Sequence, residues 1–121
     1  MPLILIVDDS PTEVHVMCKA LERHGYKTVA AADGAEGVRV AREMSPDLIF
    51  MDVVMPGMNG YQATRTLVND PKTRSIPIIM VTSKGQETDK IWGLRQGAVD
   101  YMVKPVSPDQ LVAKAQATLA G

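Results

Sequence analysis

Five positions in this chain carry side chains suited to one kind of chemistry. Asp8 and Asp9 follow the apolar run LILIV, and Asp52 follows DLIFM. Thr82 closes PIIMVT with Ser83 behind it, and Lys104 follows VDYMV with Pro105 behind it. Crowded carboxylates resist ionisation beside one another, and a divalent cation removes that cost. Oxygen donors with positions left for water or phosphate suit Mg²⁺ better than zinc or copper. One cysteine, Cys18, and two histidines, His15 and His24, supply no soft-metal set. Lys104 adds a fixed positive charge for a carboxylate or a phosphoryl oxygen, and Thr82 adds a hydroxyl. A nucleophile, a metal to neutralise charge and donors for equatorial oxygens are what phosphoryl transfer needs. A carboxylate can be that nucleophile and form an acyl phosphate.

Singly, each signal is weak. An Asp pair after a strand can simply cap the next helix, a strand-end Asp is a common turn former, and Lys-Pro says little beyond a bond that can be cis in a tight turn. They gain weight only if the fold brings them to one place. The runs 3–7, 27–32, 47–51, 77–82 and 99–103 are short and β-rich, and three are almost wholly apolar, as strands covered on both faces are. Helical patterns lie between them. Val14, Met17, Cys18 and Leu21 follow an i, i+3, i+4, i+7 stripe, with Ser10 as cap, Pro11 in the first turn, Glu13 completing a capping box and Gly25 as stop. Further helices are expected over 35–44, stopped by Pro46; from Gly60 to the NDPKTR stretch; over 86–96, stopped by Gly97; and from Pro108 onward, capped by Ser107. Strict alternation predicts an α/β, doubly wound, flavodoxin-like (βα)5 fold: a parallel five-stranded sheet with helices on both faces. Ligands of such sheets bind beyond the carboxyl ends of the strands, where Asp8, Asp9, Asp52, Thr82 and Lys104 all fall.

Length and composition narrow the function classes. The 121 residues suffice for one domain with one core, so residues 1–121 are read as a single domain with no output domain. A formal net charge of −1 favours neither nucleic acid nor an acidic membrane surface. No apolar stretch reaches the roughly 18 residues of a membrane span, and MPLILIVDDS meets two aspartates with no basic leader, so it reads as a strand rather than a signal peptide. With a lone Cys18 there is no internal disulfide, and a cytoplasmic location is expected. The eight methionines against one phenylalanine read as core filler and adaptable contact surface.

The segments ILIVDDS, PDLIFMDVVMPGMNG, IPIIMVTS and GAVDYMVKPV resemble, in order and spacing across the whole chain, the receiver domains of two-component response regulators. The resemblance implies that Asp52 is the phosphoacceptor and that Asp9 and Asp52 hold Mg²⁺ (Mn²⁺ being a substitute), with the Val54 backbone carbonyl as a further ligand. Asp8 would act mainly through a water on the metal. It also implies that Thr82 bonds a phosphoryl oxygen, that Lys104 pairs with the phosphoryl group, and that Tyr101 is the aromatic switch residue, turning inward as Thr82 moves. The implied partners are a histidine kinase or phosphotransfer protein, and a downstream protein met by the face of the fourth helix, fifth strand and fifth helix, in a monomer or weak dimer. DDSPTE, NGYQATR and QETDKIWGLRQGAVDYMVKPV are most similar to the PilH-type single-domain regulators of type IV pilus twitching motility. A role as phosphate sink or shuttle in a phosphorelay is the alternative. Val54 and Lys84 stand two residues past the phosphoacceptor and the switch hydroxyl, where receivers tune phosphoryl lifetime.

Two other classes fit less well. An aspartyl-phosphate phosphohydrolase wants an acid two residues past its nucleophile, where Val54 stands, and a substrate cap for which the chain has no length. A small flavoprotein wants a glycine- and hydroxyl-rich phosphate loop where DDSPTE stands. In the fourth helix Ile91 and Leu94 fit an inward stripe, whereas Trp92 falls off it and is expected to be partly exposed, either packed on its own helix or touching a partner. Gly85 and Gly93 weaken that helix. His15 and His24 read as solvated, NDPKTRS (69–75) as a solvated loop, and Met55 and Met58 as rim or core filler.

Overall fold

The computed structural model describes residues 1–120. Its elements alternate as β1 (Leu3–Val7), α1 (Pro11–Glu22), β2 (Lys27–Ala31), α2 (Gly34–Met44), β3 (Leu48–Met51), α3 (Gly60–Asn69), β4 (Ile78–Thr82), α4 (Glu87–Gln96), β5 (Asp100–Val103) and α5 (Pro108–Ala120). All pairings are parallel, in the order β2-β1-β3-β4-β5. The chain leaves β1 for the β2 edge and then crosses back to β3 on the other side of β1. The order therefore reverses between β1 and β3, opening a crevice beyond their carboxyl ends.

The wholly apolar runs are buried because the side-chain period of two sends alternate residues into two cores. Ile4, Ile6, Leu48, Phe50, Ile79 and Val81 pack with Ala20 and Leu21 of α1 and with Leu111, Val112 and Ala115 of α5. Leu5, Val7, Ile49, Met51, Ile78 and Met80 pack with Val40, Ala41, Ala63 and Leu67 of α2 and α3. Each fully buried Ile, Leu or Phe stabilises by about 2 kcal/mol, so the three central strands are the rigid base of the molecule. The edge strand β5 is only half-buried throughout.

Helix starts follow local chemistry. The Ser10 hydroxyl accepts from the Glu13 N–H at 3.3 Å and Asp33 accepts from Glu36 at 2.8 Å. Asn59 and Gln62 form a reciprocal capping box, as do Ser107 and Gln110. The expected box of Ser10 and Glu13 is only half made: the Ser10 N–H donates to Asp8 Oδ1 at 2.9 Å, and the Glu13 carboxylate goes elsewhere. α1 stops at Glu22, before Gly25, which turns the chain at a left-handed φ of 89°. The loop NDPKTRS is not wholly solvated. Thr73 is buried with its hydroxyl on the Leu67 carbonyl at 2.6 Å, and Asp70 pairs with Arg42 at 2.9 Å.

α4 departs furthest from expectation. Ile91 and Leu94 do not point inward: they are 44% and 48% exposed, much like Trp92 at 50%. The buried residues of this helix are Gly93 and Gln96. Gly93 faces the Tyr101 ring so closely that a Cβ there would stand 2.9 Å from a ring carbon, so the helix meets the sheet through a bare backbone. The bulky residues on either side are turned to solvent. A helix with so little apolar burial opens locally more easily than one anchored like α5. Hydrogen exchange checks this. Amides of α4 should exchange at least about ten-fold faster than those of α5, whereas equal protection of the two helices would contradict it.

Candidate functional site

Backbone ladders carry the polar residues one step past the strand ends. The Asp8 N–H reaches Ala31 O at 3.1 Å, the Asp52 N–H reaches Val7 O at 2.9 Å, and the Lys104 N–H reaches Thr82 O at 2.8 Å. Each of these three residues therefore continues a parallel pairing. The loop after Asp52 is closed at its base, where the Gly60 N–H donates to Val53 O at 2.9 Å. A Cβ on Gly60 would stand 2.0 Å from Asp52 O, so only glycine admits this approach. Val54 at the outer part of the loop is 59% exposed, while Met55 is buried and Met58 packs on the core.

The side chains converge on one ammonium. Lys104 Nζ lies 2.6 Å from Glu13 Oε2, 2.9 Å from Asp8 Oδ2 and 3.2 Å from Asp52 Oδ2. Asp52 Oδ1 accepts from the Val53 N–H at 2.7 Å. Asp8 and Asp52 are buried, and the Lys104 side chain is only 16% exposed. Among the described residues, Asp8, Glu13 and Asp52 each offer one carboxylate oxygen within 4.8 Å of the others. Asp9 is exposed and lies outside that group. Thr82 is fully buried at the end of β4, and its hydroxyl accepts from the Lys84 N–H at 3.4 Å. Tyr101 donates its hydroxyl to Lys84 O at 2.6 Å. The main chain of Lys84 thus links Thr82 to Tyr101, while its side chain lies 3.7 Å from Asp89. Trp92 is half-exposed on α4 and is not a member of the acidic group.

Sequence reasoning brought Asp8, Asp52, Thr82 and Lys104 to one edge and missed Glu13 as a member of the group. A signal existed: Glu13 immediately precedes Val14 and stands four residues before Met17, so it borders the inward stripe of α1 in the turn nearest the strand ends. The role of Lys84 as backbone bridge has no sequence signal, because main-chain hydrogen bonding is independent of side-chain type.

Electrostatics follow from this geometry. Burial pushes the Asp52 carboxyl above its ordinary 3.8; Lys104 pulls it down and Asp8 pushes it up, and the net direction is upward. Burial works against the charge of Lys104, but its bonds to Glu13 and Asp8 outweigh this and hold the ammonium protonated far above its ordinary range. Burial, then Tyr61 and the nearby Asp89 and Asp52, keep the Tyr101 phenol neutral. Three carboxylates against one ammonium leave an excess of negative charge made only of hard oxygen donors. That is the chemistry Mg²⁺ fits, and the same ammonium and hydroxyl are suited to the oxygens of a phosphoryl group.

Residues 4–116 match the model of the response regulator receiver domain, and the chain belongs to that family. Over its full length it is 54% identical to the protein PilH of Pseudomonas aeruginosa, 100% of each chain being covered. The chemotaxis protein CheY4 of Vibrio cholerae superposes with a TM-score of 0.93 at 32% identity, over 98% of this chain and 99% of that one. The receiver domain of the sensor histidine kinase PA1611 of Pseudomonas aeruginosa superposes with a TM-score of 0.91 at 32% identity, over 99% and 98% of the two chains. That structure has a magnesium ion coordinated in its active-site cleft. The parallel five-stranded fold expected from the sequence is thus the fold observed. No helix among the described residues is long and apolar enough to cross a membrane.

The direction of the Asp52 shift gives a pH test. The folded protein holds this proton more tightly than the unfolded chain does. The stability it contributes is complete below 3.8 and is lost as pH rises from there to the raised value. In magnesium-free buffer, urea unfolding should show the parent losing more stability than Asp52→Asn as pH rises from the ordinary carboxylate range toward neutrality. Parallel pH profiles for the two proteins would contradict the upward shift.

Proposed function

We propose that this receiver domain is a phosphorylation-driven switch in which Asp52 accepts a phosphoryl group from a histidine kinase or a phosphotransfer protein. The observation that carries the reading is the Asp52 carboxylate itself: it ends the buried strand β3, with Lys104 Nζ 3.2 Å from one oxygen and a backbone N–H on the other. In the transfer, Asp52 Oδ2 forms a bond to phosphorus as the N–P bond of the donor's phosphohistidine breaks, and the imidazole departs with its electron pair. Asp8, Asp9, Asp52 and the Val54 carbonyl are the groups that would hold Mg²⁺, with Mn²⁺ as a substitute; when bound, it neutralises charge on the phosphoryl oxygens. Lys104 pairs with one such oxygen and Thr82 donates its hydroxyl to another.

The readout is mechanical. Once Thr82 turns its hydroxyl to the phosphoryl group, the Lys84 N–H loses its acceptor and the carbonyl that anchors Tyr101 is free to shift. A local charge change thereby biases the α4–β5–α5 face, where Ile91, Trp92 and Leu94 are exposed for a downstream protein. The chain acts as one receiver unit over residues 1–121, as monomer or weak dimer in the cytoplasm, with output through protein contacts and no substrate turnover beyond its own phosphoryl group. The full-length likeness to PilH supports a place in type IV pilus motility signalling.

Intact mass spectrometry tests the reading. With Mg²⁺ and acetyl phosphate the protein should gain one phosphoryl group, and both Asp52→Asn and an excess of EDTA should abolish the gain. A parent that gains nothing, or an Asp52→Asn variant phosphorylated as well as the parent, would overturn it.

A further inference from the structure

An ammonium has three N–H donors, and at Lys104 the carboxylates of Glu13, Asp8 and Asp52 take all three. A phosphoryl oxygen can reach Lys104 only if one of them lets go. The three are not equivalent. The Asp8 and Asp52 side chains are 2% and 9% exposed, whereas Glu13 is 46% exposed. Turning the Glu13 carboxylate into water leaves no buried charge behind; releasing either aspartate would. Glu13 also makes the shortest of the three contacts, and its carboxylate is free for it because Asp8 has taken the Ser10 N–H that a capping box would assign to Glu13. Its backbone is fixed at the start of α1, with the N–H on the Ser10 hydroxyl, so the side chain swings from an anchored base.

We propose that Glu13 is a positioning residue that competes with the incoming anion for the Lys104 ammonium, and so sets how readily the site accepts a phosphoryl group. This rests on the reading of Asp52 as phosphoacceptor. Glu13 touches neither the donor nor the reacting atoms; it acts through Lys104. Its release accompanies the transfer of Lys104 to the anion, and its return opposes that transfer.

The probe is beryllofluoride at saturating Mg²⁺, titrated by ¹⁹F NMR, which reads an equilibrium rather than a rate. Glu13→Gln should bind about three- to five-fold more tightly than the parent, the size that a partly exposed ion pair commands. Removing any negative charge near an anion site would also tighten binding, so a second variant separates the two causes. Glu13→Gln with Thr12→Glu restores the net charge one residue along the helix, turned by about 100°, at an exposed position that lines, with Glu13 and Lys104, one groove between α1 and the start of α5. It should bind like Glu13→Gln if the pair with Lys104 matters, and like the parent if only the charge does. Unchanged affinity in Glu13→Gln, or reversion to parental affinity in the double variant, overturns the inference while leaving the phosphoacceptor reading intact. A parent that binds no beryllofluoride and gains no phosphoryl mass overturns both.

Discussion

One ammonium group faces three carboxylates at the carboxyl edge of the sheet, and much of the site follows from that imbalance. Lys104 satisfies one oxygen each of Asp8, Glu13 and Asp52, but one positive charge cannot neutralise three negative ones. The excess attracts a hard cation, and burial strengthens every interaction within it. An apolar replacement for Lys104 would strand two buried aspartates together, an arrangement that costs several kcal/mol in measured cases. The ammonium therefore has a structural duty in the resting protein beside the chemical one proposed for it toward a phosphoryl group.

The rest of the fold serves to hold these groups in place. Parallel ladders extended by one residue set the positions of Asp8, Asp52 and Lys104 to within the tolerance of a backbone hydrogen bond. The strands behind them are buried on both faces, so the base of the site does not yield. The sparser packing lies on the other side, in α4, which touches the sheet through Gly93 and leaves its apolar side chains outside. A rigid charge centre beside a loosely packed helix is the arrangement in which a small electrostatic event can change a surface.

Much of this was legible in the sequence for identifiable reasons. Strictly alternating short apolar runs and amphipathic segments admit few folds other than a doubly wound sheet, and that topology alone gathers strand-end residues at one edge. Thus the topology alone gathers Asp8, Asp52, Thr82 and Lys104 at that edge. Glu13 was misread because Ser-x-x-Glu is a sound capping signal, and what defeats it is a tertiary competitor: the Asp8 carboxylate reaches the Ser10 N–H first. Ile91 and Leu94 were misread because helical periodicity assumes that the inward stripe is the apolar one, whereas the Tyr101 ring requires a residue without a side chain at the contact. Thr73 inside a polar loop was hidden because one buried hydroxyl with a local carbonyl partner leaves no periodic trace.

On the proposed function, Lys104 is a counter-ion shared among carboxylates in the resting site and passed to the phosphoryl group on activation. The most direct test is a crystal structure of the magnesium–beryllofluoride form, in which the trifluoride on a carboxylate stands in for the phosphoryl group. Beryllium should be bonded to an Asp52 oxygen, Lys104 Nζ and the Thr82 hydroxyl should each lie within hydrogen-bond distance of a fluorine, and Glu13 should be withdrawn toward solvent. An adduct on any other residue, or Lys104 still held by all three carboxylates with no fluorine contact, would contradict it.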